Sequence, residues 1–100
     1  MDQRDYQTAV ARYEEYLKDA TAPDQVARVH FEVAEIYYLN LKQYERATEH
    51  YIRLIEDTPD FKDMELAYLR LAECHAEQKK YREAISEYEN LLKTFPDTQN

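Results

Sequence analysis

The chain of 100 residues is long enough for one domain or for part of a repeat array. Its 13 Lys and Arg residues stand against 21 Asp and Glu residues. The resulting net charge of −8 disfavours nucleic acid and anionic membrane surfaces as partners. Because glycine is absent, a glycine-rich phosphate-binding loop is excluded, and the single cysteine, Cys74, rules out an internal disulfide. No apolar run approaches the roughly 20 residues that span a bilayer, so direct membrane insertion is not expected.

Helical periodicity runs through the whole chain. Proline occurs only at Pro23, Pro59 and Pro96, and the stretches between these prolines are rich in good helix formers. Apolar residues recur at steps of three and four, which is the spacing of an amphipathic helix. The sequence therefore predicts an all-α fold of about five helices, which lie in chain order at 3–19, 24–39, 42–57, 61–78 and 80–94.

Two internal patterns repeat along these helices. The pattern Tyr-x-x-Ala-x-x-x-Tyr begins at Tyr6, Tyr44 and Tyr81. In a second pattern, an apolar residue followed by an alanine lies between two positions that are aromatic or histidine. Its two copies begin at His30 and Tyr68. The small alanine lets a neighbouring helix approach closely, and the flanking rings fill the space around that contact.

In their common register these patterns resemble the tetratricopeptide repeat, a helix–turn–helix unit of about 34 residues. In the last repeat the family positions are taken by Tyr68, Leu71, Ala72, His75, Ala84, Tyr88 and Pro96. In the middle repeat they are taken by His30, Val33, Ala34, Tyr37, Ala47, Tyr51 and Pro59, with one extra residue in the turn near 40–42.

The resemblance implies an antiparallel helix–turn–helix solenoid of two and a half repeats. Residues 1–100 would form a single domain, with the second helix of a partial repeat at 1–22 and full repeats at 23–60 and 61–98. The linker from Pro59 to Tyr68 is longer than usual. In this respect the chain looks similar to the bacterial cell-envelope branch, which includes outer-membrane assembly lipoproteins and Tol-Pal coordinators. A single cysteine is compatible with both cytoplasm and periplasm, so no compartment is predicted.

The resemblance also implies the function, a non-catalytic protein–protein interaction scaffold that binds a partner segment in a concave groove lined by first helices. The matching groove positions are Arg28, Phe31, Glu35, Tyr38, Leu66, Leu69, Arg70 and Glu73. An apolar floor beside carboxylates suits a peptide or an amphipathic helix that carries basic residues. In the alternative interpretation Phe31 and Leu69 pack between neighbouring helices. A clamp for a terminal carboxylate is disfavoured, because Glu35 and Glu73 stand where such a clamp places Asn.

No enzymatic constellation is apparent, and we predict no catalytic, cofactor-binding or metal-binding residue. Cys74 and His75 are adjacent and diverge by about 100° on a helix, so they cannot face one ion together. The near neighbours of Cys74 include Glu73 and Glu77, whose charges disfavour a thiolate nucleophile. Most tyrosines occupy repeat positions, which favours packing over base stacking.

The last helix suggests a second, structural role. The apolar residues Ala84, Ile85, Tyr88, Leu91 and Leu92 form more surface than the preceding helix covers. The remainder would meet a following helix. We therefore expect either that the chain is an excerpt of a longer array or that its open helix ends pair with a second copy as a homo-oligomer.

Overall fold

The computed structural model describes residues 2–96. These residues form five α-helices, and no strand occurs among them: α1 (Gln3–Asp19), α2 (Pro23–Glu35), α3 (Tyr44–Asp57), α4 (Met64–Glu77) and α5 (Tyr81–Thr94). The predicted all-α fold of five helices is confirmed. The boundaries agree with the predicted ones to within a few residues, except at the end of α2.

Local sequence explains where the helices begin and end. The Asp2 side chain caps α1 by accepting hydrogen bonds from the backbone N–H groups of Arg4 and Asp5, at 2.9 and 3.2 Å. Pro23 occupies the first turn of α2, where its missing N–H costs no hydrogen bond. At the end of α4 the chain turns through Lys79 in the left-handed conformation, with φ of 63°. A chain without glycine has to place another residue in this conformation.

The extra residue of the middle repeat lies inside a helix, which corrects its predicted position in the turn. Residues Ile36–Leu41 continue α2 as a π-helical segment. The chain then turns through Lys42, with φ of 55°, and the carbonyl of Tyr37 accepts from both Lys42 and Gln43. In the last repeat the left-handed lysine follows His75 by four residues, whereas here it follows Tyr37 by five. The inserted residue therefore widens the last turn of the helix, and both helices still end at a lysine in the left-handed conformation.

Each helix packs against the next one in the chain, as expected for a repeat solenoid. The repeated alanines lie at these contacts: Ala47 is completely buried and Ala84 is buried, whereas the equivalent Ala9 on α1 is half-exposed. Around Ala47 the core contains Tyr51 and Leu54, which are also completely buried. Close approach of α2 and α3 thus depends on a side chain no larger than a methyl group.

Each range predicted for a full repeat contains two of the described helices: 23–60 contains α2 and α3, and 61–98 contains α4 and α5. Residues 1 and 97–100 of the predicted domain lie outside the part of the chain that the structure describes. On α5 the alanine and Leu91 are buried, but Ile85, Tyr88 and Leu92 are exposed. Within residues 2–96 no helix is long and apolar enough to cross a membrane.

We predict that Ala47→Leu destabilises the fold by about 1–3 kcal/mol, because the added side chain overpacks the α2–α3 contact. Ala9→Leu is the matched control, and we expect it to change the free energy of unfolding by no more than about 0.5 kcal/mol. Urea denaturation of both variants measures the difference. Equal stabilities for the two variants would show that the packing register is wrong.

Candidate functional site

Side chains of α2 and its π-helical segment meet those of α4 along one surface, which we call the α2–α4 surface. Three polar contacts join the two sides, and each links residues 35 positions apart. The pairs are Arg28 with Asp63, Glu35 with Arg70, and Tyr38 with Glu73. A constant separation means that the two helices keep one register over the length of the contact. Five of these six residues were predicted as groove residues, and Asp63 was not.

The centre of this surface is an ionic network around the Arg70 guanidinium. Arg70 Nε donates to Glu35 Oε1 at 3.0 Å, and Arg70 Nη1 donates to Glu73 Oε1 at 3.2 Å. The hydroxyl of Tyr38 donates to Glu73 at 3.3 Å, and that of Tyr51 donates to Glu35. The three charged side chains are only 18–32% exposed. Charge-assisted hydrogen bonds at such half-buried positions are stronger than exposed salt bridges.

The ionisation of these groups reflects the network. Burial, followed by the charge of Glu73, raises the pKa of Tyr38 to about 12. Burial and the hydrogen bond to Glu35 likewise raise the pKa of Tyr51, so both hydroxyls remain donors. Burial opposes the charge of Arg70, but the two carboxylates outweigh it and raise its pKa. One permanent cation between two carboxylates leaves the centre of the surface with a negative charge.

Arg28 connects α2 to the linker before α4 at one end of the α2–α4 surface. Its Nη2 donates to Asp63 Oδ2 at 2.9 Å, just ahead of α4. The guanidinium also lies 5.7 Å from the ring centre of Phe31 and 5.1 Å from that of Phe61. Phe61 is buried, so the long linker between α3 and α4 contributes to the core. Arg28 therefore joins α2 to this linker as well as lining the surface.

The apolar residues predicted as a groove floor divide into two groups. Phe31 is only 6% exposed and packs edge-on against Tyr51, so it belongs to the core and offers little surface. Tyr38, Leu66 and Leu69 are half-exposed. For Phe31 the structure agrees with the alternative interpretation, packing between helices. The accessible apolar part of the surface therefore lies on α4 and the π-helical segment.

Two interacting residues of this site were missed by sequence reasoning. The repeat pattern predicts a packing role alone for Tyr51 and no role for Asp63. The signal for Asp63 is the 35-residue separation, which pairs Arg28 with Asp63 as it pairs Glu35 with Arg70. The role of the Tyr51 hydroxyl can be identified only from the tertiary structure, in which α3 brings it into contact with Glu35.

The nucleophilic and metal-ligating residue types lie in settings that suit packing. Cys74 is completely buried, and burial followed by the charge of Glu73 raises the pKa of its thiol to about 12. His75 Nδ1 contacts Glu87 Oε2 at 2.6 Å, which joins α4 to α5. Among the residues 2–96, no group of three or more His, Cys, Asp or Glu side chains is arranged to hold a metal ion.

A histidine pair lies where α1, α2 and α3 meet. The Nδ1 atoms of His30 and His50 are 2.9 Å apart, so one donates to the other and the pair shares a single proton between them. Burial, followed by the charges of His50 and Arg53, lowers the pKa of His30 to about 4. The carboxylate of Glu14 lies 3.8 Å from His50 Nε2. Burial also lowers the pKa of His50, so the pair is uncharged at neutral pH. His30 is buried and His50 is half-buried.

Comparison with known families agrees with this geometry. Two family models, both described as the tetratricopeptide repeat, match the chain over residues 1–60 and 66–98. The first of these alone covers more than half of the chain. Neither a curated protein nor a solved structure matches it.

We predict that Tyr51→Phe lowers the free energy of unfolding by about 1.5–3 kcal/mol, because Glu35 loses a buried charge-assisted donor. Tyr88→Phe, at the equivalent position of α5, is the matched control, since Tyr88 is 38% exposed. Its expected effect is no more than about 0.5 kcal/mol. Chemical denaturation of the two variants provides the comparison. Similar losses would mean that Glu35 does not depend on the Tyr51 hydroxyl.

We also predict that acid weakens the fold through His30. Its pKa is lower in the folded chain than in the unfolded chain, so only the unfolded chain gains this proton as the pH falls from 6.5 towards 4. Between pH 7.5 and pH 5 this difference removes about 2 kcal/mol of stability. Urea denaturation at both pH values should show that His30→Phe loses about that much less than the original chain. If His30→Phe and the original chain lose the same stability between the two pH values, the loss does not come from His30.

Proposed function

Because this chain belongs to the tetratricopeptide-repeat family, whose repeats mediate protein–protein interactions, we propose that it is a non-catalytic scaffold that binds a partner segment across the α2–α4 surface. The observation that carries the proposal is the ionic network of Glu35, Arg70 and Glu73 beside half-exposed Tyr38, Leu66 and Leu69. A surface that combines accessible apolar groups with oriented, half-buried charges suits recognition of a peptide or helix.

The charge of the network favours a partner segment with basic residues. Two carboxylates share one guanidinium, and the whole chain carries a net charge of −8. A Lys or Arg on the partner would approach Glu73, whose side chain is 32% exposed, more readily than Glu35 at 18%. The preferred ligand in this proposal is an extended peptide or amphipathic helix with apolar residues for Leu66 and Leu69 and a cation for Glu73.

A second candidate role is structural. In it, the exposed apolar surface of α5 pairs with further repeats or with a second copy, as a homo-oligomer. The four exposed residues Tyr81, Ile85, Tyr88 and Leu92 favour this role, because isolated soluble chains seldom expose a continuous apolar strip. A molecular mass that rises with concentration in light scattering would support the homo-oligomer.

The proposed relation to the bacterial cell-envelope branch is supported by the long linker between α3 and α4. This linker buries Thr58 and Phe61. Its extra length is therefore an integral part of the packing around Arg28. We propose the relation on this structural feature and on the sequence likeness of the linkers.

The α2–α4 surface can be tested with peptides selected on the chain itself. A random peptide library displayed on phage is enriched on the original chain, and the dissociation constants of the enriched peptides are then measured by fluorescence anisotropy. Leu69→Asp should weaken their binding at least about tenfold, because it places a charge at the apolar contact. Glu73→Lys should reverse the preference for basic peptides.

The control is Ile52→Asp, since Ile52 is 38% exposed on α3 and belongs to neither α2 nor α4. Circular dichroism verifies that all three variants keep their helices. The α2–α4 surface is the wrong site if the enriched peptides bind Leu69→Asp and the original chain alike. Failure to enrich any peptide would also count against the proposal.

A further inference from the structure

The outer face of α5 is one of three equivalent faces in this chain. The repeat register places Tyr81, Ile85, Tyr88 and Leu92 of α5, here called the α5 stripe, at the positions of Tyr44, Thr48, Tyr51 and Ile55 of α3. On α3, which packs against α4, Thr48 and Tyr51 are buried and the other two positions are half-buried. The equivalent face of α1 packs against α2 and its π-helical continuation, and Val10 on that face is only 4% exposed.

On α5 the same positions are open. The four side chains of the α5 stripe are between 38% and 59% exposed. They recur at steps of four, three and four, so they form one continuous strip along the helix. The helices that pack on the equivalent faces of α1 and α3 therefore indicate which type of helix fits the face of α5.

The covering helices share an apolar pattern. The core residues Met64, Ala67, Leu71 and Cys74 of α4 belong to the same apolar cluster as Tyr51. The positions of α2 and its continuation with the same spacing are all apolar as well: Val26, Val29, Val33 and Ile36. A helix that covers such a face thus has apolar residues at positions i, i+3, i+7 and i+10.

A charge completes the covered face of α3. Arg70, six residues after Met64, donates to Glu35, which also accepts from Tyr51. The repeat register places Glu73 at the position of Glu35 and Tyr88 at that of Tyr51. Glu73 belongs to α4, which packs against α5, and burial followed by the charge of Glu73 raises the pKa of Tyr88. The open face thus carries the acceptor of a cation like Arg70.

We infer that the α5 stripe is a second binding surface, for an amphipathic helix of another polypeptide with apolar residues at i, i+3, i+7 and i+10 and an arginine at i+6 that contacts Glu73. A second copy offers no such helix in residues 2–96. Its α4 is enclosed between α3 and α5, and its α2 has Glu32 where α4 has Arg70. The α5 stripe is a different helix face from the α2–α4 surface, but both proposals use Glu73, which already accepts from Arg70 and Tyr38. The inference does not rest on the function proposed for the α2–α4 surface.

The chain itself supplies the probe. A synthetic peptide of residues 61–78, with Cys74→Ala to prevent oxidation and a lactam staple to keep it helical, has the required pattern. Its two cations, Lys62 and Arg70, stand against four carboxylates, which give it a net charge of −2, so the acidity of the protein alone would not attract it. We expect saturable binding in fluorescence anisotropy, with backbone amide shifts in NMR that centre on the α5 stripe.

Three substitutions define the contact. Ile85→Asp in the protein should abolish binding, whereas Ile52→Asp should leave it unchanged. Arg70→Glu in the peptide should weaken binding at least about tenfold, because it opposes Glu73 with a like charge. Glu73→Gln in the protein should remove most of that tenfold difference. Leu69→Asp should have little effect, which separates this surface from the α2–α4 surface.

Three results would overturn the inference. The first is absence of saturable binding. The second is binding that Ile85→Asp leaves intact, as when the peptide displaces the chain's own α4. The third is a dimer in light scattering that Ile85→Asp dissociates and the peptide does not. That result would assign the α5 stripe to a second copy.

Discussion

The Glu35 carboxylate is the point at which three helices depend on one another. It extends from α2, accepts from Arg70 on α4 and accepts from Tyr51 on α3. At 18% exposure it has lost most of its water, so its charge is tolerated only while both donors remain in place. The two donors in turn fix the relative positions of α3 and α4. The same contact that orders the helices also sets the negative charge of the α2–α4 surface, because Arg70 is shared with Glu73. Packing and the proposed recognition therefore rest on a single arrangement.

Most of the fold could be predicted from the sequence because its determinants are local and repeated. Helical periodicity depends on neighbours three and four residues apart, and the three copies of the Tyr-Ala-Tyr pattern fix the register of one helix on the next. Ala47 and Ala84 were expected at close helix contacts, and both are buried. Five residues of the predicted groove meet on one surface for a similar reason, since equivalent positions of a solenoid repeat face the same side.

What escaped prediction depends on contacts between distant residues. Whether Phe31 faces a groove or the core is decided by Phe61, which the long linker brings against it. When a helix is apolar on several sides, its local sequence does not predict which side is buried. The π-helical segment was missed for a different reason. An inserted residue can lengthen a turn or widen a helix, and the choice here keeps Lys42 at the exit that Lys79 occupies in the next repeat. That constraint belongs to the packing of α3 and is not visible in residues 36–41 alone.

Because the sequence repeats, equivalent positions of two repeats can be compared directly. Tyr51 and Tyr88 occupy the same position of two repeats, yet one is completely buried and the other is 38% exposed. Their difference cannot come from the residue or its helix, so it measures the contribution of the neighbouring helix. At Tyr51 that contribution includes Arg70 on the shared carboxylate, which gives the contact an electrostatic preference as well as apolar area. Apolar area alone would accept many helices, whereas a half-buried carboxylate discriminates strongly between a cation and an anion opposite it. In the inferred contact, Glu73 would give the exposed face of α5 the same kind of selectivity.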